Sequence, residues 1–317
     1  MKEIIRSSNY AETMEKEIMP FLSARRRDDY VHTANGRIHC VIYTSDDIKG
    51  TVYISHGFTE NAEKFRETAY YFLINGFSVC IPEHFGHGFS SRVTEDVSVT
   101  HIDKFERYAD DFEEVICKTH ELFGDPFYLF SHSMGGAIGL LYMDRHPDFF
   151  RAAVLSSPMI VPSSGGTPIT VAKAVMALFK FAGKSKERSF TSSEYPGKEK
   201  FEDSCSICPE RFEYYEKIKR ENECFHNYSP SYGWIYESLR VKKLIFKGKP
   251  EKIETPILIF SAEKDTVVEL KPQKTLEKKL RKCRFESVPL AKHEIYLSTD
   301  EIVEKYFNEI IRFFKTN

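Results

Sequence analysis

The chain has one tryptophan, seven cysteines and no long apolar run among its 317 residues. Seven thiols are an odd and sparse set for a secreted disulfide framework, so a reducing, cytosolic setting is expected. An excess of charge is also missing, since 45 Lys and Arg stand against 47 Asp and Glu. Neutralising a phosphate backbone needs a positive field that this balance does not supply, and no nucleic-acid partner is expected. The longest stretches without a charged residue, 126–143 and 152–172, are broken by Ser, Gly and Pro, so neither reads as a membrane span. The opening MKEIIRSSNY carries charge every few positions where a signal peptide would be apolar, and none is expected.

Apolar residues are abundant in total. They make up 41% of the chain against 29% charged, enough for a large core, which excludes disorder as the main state. With 26 Phe and 17 Tyr, a large aromatic surface must be buried or must line something. The length fits either two units or one α/β unit with an insertion.

Residues 1–30 are polar and mixed, and the run Arg25, Arg26, Arg27 answered by Asp28 and Asp29 reads as a solvated segment on the surface. From Tyr30 to Tyr53, alternating runs broken by AsnGly and AspAsp suggest antiparallel strands. Beyond Thr51, short apolar runs (51–55, 77–82, 127–131, 152–157) alternate with helical stretches near 61–74, 103–122 and 135–146. That alternation resumes at PILIFSAEKD (256–265) and predicts a mostly parallel sheet with helices on both faces. Phe105, Tyr108, Phe112, Val115 and Ile116 share one helical face, as do Ile302, Val303, Tyr306, Ile310 and Phe313, and Ser298 with Glu301 reads as a capping box for that last helix. Between Pro158 and about Ile253 the alternation is lost. The simplest organisation is an α/β core from residues 1–160 and 253–317 with a helical insertion over 161–252.

The sharpest motif is FSHSMGG, at the end of one predicted strand and the start of a helix. A nucleophile elbow needs small residues two before and two after its serine so that a strained turn can close. Ser133 has Gly135 at +2 and, at −2, Ser131 where glycine is usual. Earlier in the chain, ISHGF (54–58) ends another strand. Gly57 lets the backbone approach a substrate beside His56, and the amides of Phe58 and Met134 are the expected oxyanion donors. By itself a HisGly after a strand is an ordinary turn; its place in the strand order is what raises it. Asp265 follows the strand PILIF, with Glu263 and Glu269 as competitors, and a short acid there can accept from an imidazole N–H and fix its tautomer. His293 lies between the last strand and the last helix, which completes the order Ser133, Asp265, His293. His132 is expected to pack beneath the elbow.

No metal is assigned. The glycines around His84 and His87 argue for a tight loop, and in the set Cys205, Cys208, Cys224 and His226 the last two are spaced too closely for the usual zinc pair.

These motifs resemble the serine α/β-hydrolase superfamily, and within it bacterial lysophospholipases and monoglyceride lipases, over about residues 20–315. The resemblance is carried by SHSMGGAI, the HisGly at 56 and 57, GHGFS from Gly86 to Ser90, AEKDTVV, AKHEIY and YGWIYESL (232–239). It implies a cap over the serine with an apolar tunnel for an acyl chain. Ser131 and Glu83, the latter where Asp is common, depart from the pattern.

The expected reaction is hydrolysis of the carboxylic ester of a single-acyl lipid through an acyl-enzyme, with no metal or organic cofactor. Phe179, Tyr232 and Trp234 are candidate pocket residues, and packing is an equal account of them. The helix candidate 169–181, followed by Lys184, Lys186 and Arg188, reads either as a lid touching lipid at the inner face of the membrane or as a core helix with a solvated end. A short-chain esterase, a peptidase or an acyltransferase would use the same triad, and a non-catalytic binding protein would have no use for it.

Overall fold

The computed structural model describes residues 4–317. Ten strands form: β1 (Arg26–Thr33), β2 (Gly36–Tyr43), β3 (Thr51–Ser55), β4 (Ser78–Pro82), β5 (Val99–Thr100), β6 (Phe127–His132), β7 (Ala152–Ser156), β8 (Ser229–Pro230), β9 (Ile257–Ala262) and β10 (Cys283–Val288). Eight of them make one sheet in the order β1-β2-β4-β3-β6-β7-β9-β10. β2 runs antiparallel to β1 and to β4, and every other neighbouring pair is parallel. This is the expected α/β class. Strands covered on both faces need apolar residues at every position, which is why β3, β6, β7 and β9 read as continuous hydrophobic runs.

The period of two sorts those residues between two cores. Val52, Ile54, Phe130, Val154 and Phe260 face one side, while Tyr53, Leu129, Leu155 and Ile259 face the other. The helices are α1 (Tyr10–Thr13) and α2 (Met19–Ser23), joined by a π-helical turn, then α3 (Arg66–Leu73), α4 (Glu106–Thr119) and α5 (Met134–Arg145). Between β7 and β9 follow α6 (Ile169–Phe181), α7 (Pro209–Glu221), α8 (Tyr232–Ser238) and α9 (Val241–Lys247), and the chain ends with α10 (Leu270–Glu277) and α11 (Asp300–Thr316). Residues of α3 and α11 fill the first core, and residues of α4 and α5 the second. The expected faces of α4 and α11 are buried, with Ile302 only partly so.

Two expectations need correction. The N-terminal segment is no solvated strip: Tyr10, Met14, Ile18 and Leu22, four residues apart, form a buried stripe that joins the first core. The Ser298–Glu301 capping box does not form either. Thr299 is the residue before the helix, and the buried Ser298 hydroxyl has no partner among the described residues. The Ser298 carbonyl accepts from Arg211 instead, which fixes the backbone one residue short of the cap position.

Arg211 also ties α7 to the core. Its guanidinium is fully buried and donates to Glu67 at 3.1 Å, to Asp300 at 2.9 Å and to the carbonyl of Ile5 at 2.7 Å. Removing one partner of a buried ion pair leaves the other charge uncompensated. Arg211→Ala is therefore expected to lower the unfolding free energy by about 3–5 kcal/mol, measured by urea denaturation.

Candidate active site

Register places the loops that matter side by side. Ser55 at the end of β3 pairs with Ser131 of β6, and His132 of β6 pairs with Ser156 of β7, so the segments after β3, β6, β9 and β10 leave one rim of the sheet together. Ligands of open α/β sheets bind at that carboxyl rim.

Ser133 stands between β6 and α5 with φ 51° and ψ −115°, a left-handed conformation that costs a non-glycine residue energy. The turn is held open by its surroundings. Its N–H donates to Ser156, and its carbonyl accepts from Gly136 and Met159. A Cβ on Gly135 would lie 1.9 Å from the Ser55 carbonyl oxygen, so only glycine fits at +2. The departure at −2 is accommodated because the Ser131 hydroxyl donates to the Val154 carbonyl at 3.2 Å. The departure at Glu83 is likewise absorbed. Its carboxylate accepts from the amides of Ala62 and Phe89 and bonds His39, and only a glycine at position 88 leaves room for it.

Gly57 abuts the elbow closely enough that an added Cβ would sit 3.1 Å from Cβ of Ser133. The amides of Phe58 and Met134 have no acceptor among the described residues. Nδ1 of His293 lies 2.7 Å from Oδ2 of Asp265, whose side chain is fully buried. Burial alone would raise the Asp265 carboxyl, but the bond and charge of His293 and the amides of Val268 and Val267 hold it below the usual carboxylate range. The competitors are placed elsewhere: Glu263 bonds Ser287, and Glu269 is exposed and precedes α10.

Sequence reasoning missed Glu60. This buried carboxylate accepts from the Gly57 amide at 2.5 Å and from Nδ1 of His132 at 2.9 Å, and Lys64 and the Tyr296 hydroxyl also reach it. His132 packs beneath the elbow as expected, with its ring 4.7 Å from that of His293, and its Nε2 donates to the His293 carbonyl at 3.2 Å. Burial opposes both charges. The charges of His132 and Lys64 nevertheless hold the Glu60 carboxyl well below its ordinary value, and Glu60 raises His132. The available signal was an acid three residues after HisGly and four before a lysine.

The other candidates are divided. Trp234 reaches the site, since its ring lies 4.0 Å from that of Phe58. Phe179 and Tyr232 stack on each other at 4.1 Å and beside Phe190, in the segment between β7 and β9. His56, expected at the substrate, is wholly buried with both ring nitrogens engaged. Nε2 accepts from the His84 amide and Nδ1 donates to the Gly57 carbonyl, so it braces two loops. Among the described residues no three His, Cys, Asp or Glu side chains gather as a metal site.

Sheet order and rim geometry define the class: the chain is an α/β-hydrolase. Residues 46–300 match the family described as serine aminopeptidase, S33, and the chain belongs to that family. The probable lysophospholipase L2 of Haemophilus influenzae is 28% identical over 276 residues, 86% of each chain. The monoacylglycerol lipase of Mycolicibacterium smegmatis is 30% identical over 156 residues, 48% of this chain and 53% of its own. In fold, the chain is similar to a soluble variant of monoglyceride lipase from Saccharomyces cerevisiae in complex with a substrate analog. That likeness has a TM-score of 0.71 at 17% identity and covers 92% of this chain and 96% of that one. The lysophospholipase and monoglyceride lipase resemblance read from the motifs is the one found, and the protein is an enzyme of the hydrolase class.

The Glu60–His132 pair carries a pH signature. The depressed Glu60 contributes stability that is present above its ordinary value of about 4.3 and lost as pH falls through the folded value. The raised His132 contributes stability that is full below about 6.5 and lost as pH rises through its folded value. The stability lost in Glu60→Gln, measured by urea unfolding, is expected to be greatest between about pH 4.5 and 6.5 and smaller on either side.

Proposed function

We propose that the protein is a carboxylic ester hydrolase that cleaves single-acyl lipids, lysophospholipid or monoacylglycerol, with Ser133, His293 and Asp265 as its triad. The observation that carries this reading is the 2.7 Å contact between His293 and the buried Asp265, with the His293 ring 4.7 Å from that of His132, the residue before a serine held in a left-handed strand-to-helix turn. With its Nδ1–H donating a hydrogen bond to the Asp265 carboxylate, His293 presents a bare Nε2 as base.

The chemistry follows from those roles. His293 takes the Ser133 proton as the hydroxyl oxygen attacks the acyl carbonyl, and the amides of Phe58 and Met134 hold the negative charge that develops on oxygen. The imidazolium, stabilised by Asp265, then protonates the departing alcohol. Water activated by the same histidine releases the fatty acid. No step calls on a metal or organic cofactor.

In this reading residues 161–252 are the cap and residues 1–160 and 253–317 the catalytic core. The contact of Trp234 with Phe58 and the bond between His101 and Ser231 support it, because both join the inserted segment to the core. α9 packs on α5 and anchors the end of that segment. α6 and the following loop expose Val171, Leu178, Phe181 and Phe190 near Lys184 and Lys186, which supports contact of a cytoplasmic enzyme with the inner face of the membrane. No described helix is long and apolar enough to cross a membrane.

Release of fatty acid from lysophosphatidylcholine, monoacylglycerol and a short nitrophenyl ester tests the proposal. Ser133→Ala is expected to abolish turnover of all three and labelling by a fluorophosphonate, and retention of turnover would remove Ser133 from the mechanism. Asp265→Asn is expected to keep the fold and lose about 10⁴ in kcat through the wrong imidazole tautomer.

A further inference from the structure

A cavity of about 160 Å³ lies between α7 and the loops that follow β3 and β10. Thr59 and Glu294 are in its wall, next in sequence to Phe58 and His293, so it borders both the oxyanion loop and the loop of the base. Its other walls bring two lysines, the buried Lys219 and Lys64 with 9% of its side chain exposed, together with Tyr215 and several carboxylates. Burying an ammonium is costly unless its charge is answered, and the two lysines are answered differently.

Lys64 has two partners, Glu294 at 2.5 Å and Glu60 at 3.3 Å, and although burial opposes its charge these carboxylates hold its pKa above the usual lysine value. Among the described residues Lys219 has Glu199 as its one ion-pair partner, and the faces of Tyr195 and Tyr228 lie 5.6 and 5.8 Å from its ammonium. Burial pushes the Lys219 ammonium down in spite of Glu199, and it has one carboxylate where Lys64 has two. Close by, the Tyr215 hydroxyl accepts from Asn61 at 3.0 Å, while its own proton has no acceptor among the described residues. One wall therefore offers a cation and an O–H donor to acceptor oxygens.

The opposite charge is present as well. Glu199, Asp203, Glu216 and Glu294 also line the cavity, so four carboxylates face two lysines, with Arg220 reaching Glu216 at 3.8 Å as a third cation. A purely anionic head would meet this acidic excess, and an uncharged glycerol head would leave Lys219 as it is. A head that carries a phosphate and an amine satisfies both walls.

We infer that this cavity receives the polar head of the lipid, and that the head is a zwitterionic phosphodiester, with its phosphate at Lys219 and Tyr215 and its amine at Glu199 and Glu216. The inference rests on the ester-hydrolase reading of Ser133 and adds the site that selects the alcohol portion of the substrate.

Two measurements test it. In the full-length enzyme, Lys219→Met is expected to lower the ratio of kcat/KM for lysophosphatidylethanolamine to that for monoacylglycerol of the same acyl chain by about tenfold or more, as loss of one charge-assisted contact implies. An unchanged ratio, whether both activities persist or fall together, overturns the headgroup site. The second measurement needs no variant. Glycerophosphoethanolamine is expected to inhibit nitrophenyl ester hydrolysis by the wild type competitively, and more strongly than glycerol 3-phosphate or glycerol. Equal inhibition by glycerol 3-phosphate would deny the acidic wall its role, equal inhibition by glycerol would mean a neutral head, and no inhibition would leave the cavity without this ligand; each outcome overturns the proposal. The two layers fail separately, because the Ser133→Ala result addresses the hydrolase reading and these ratios address the head.

Discussion

One buried carboxylate organises the rim of the sheet. Glu60 takes the Gly57 amide on one side and the His132 ring on the other, and His132 in turn donates to the backbone of His293. The loop with the proposed oxyanion amide, the elbow with Ser133 and the loop with His293 are thus joined through a single acid. The acid tolerates burial because His132, Lys64 and Tyr296 supply hydrogen bonds and positive charge where water is absent. Such a network is rigid when complete, and an oxyanion donor is useful only if it is already in place when charge develops.

The strain at Ser133 belongs to the same arrangement. A serine at φ 51° is unfavourable in isolation, and it persists because Gly135 lets the backbone of β3 approach while Ser156 and Met159 hold its amide and carbonyl. Ser133 and His293 are each 5% exposed, so the proposed reacting groups lie in a setting largely closed to water. There, fixed dipoles act more strongly than they would in solvent.

Three helices of the segment between β7 and β9 join it to the rest of the chain. α9 extends the second core with Val241 and Ile245, and α8 brings Trp234 onto Phe58. α7 is tied down by Arg211 and forms one wall of the polar cavity. Tyr10 packs edge-on against Tyr214 of α7, while Met14, Ile18 and Leu22 join the first core. Their four-residue spacing was visible in the sequence, but the charged residues between them drew the reading toward a solvated strip. The capping box at Ser298 was misread for a related reason: its residue pattern is present, yet Arg211, 87 positions away along the chain, engages the Ser298 carbonyl.

Local pattern alone determined the α/β alternation, the parity that feeds two cores, the elbow around Ser133 and the order in which serine, acid and histidine occur. Those features rest on side-chain period and on the conformations small residues permit, and both are properties of neighbours in the chain. Tertiary structure decided which ionisable groups meet. Glu60 with His132 and His56 with His84 are pairings made across 72 and 28 positions of the chain. The physical reason is that a buried charge is stable only through partners that folding brings to it, and no local pattern specifies which partners those will be.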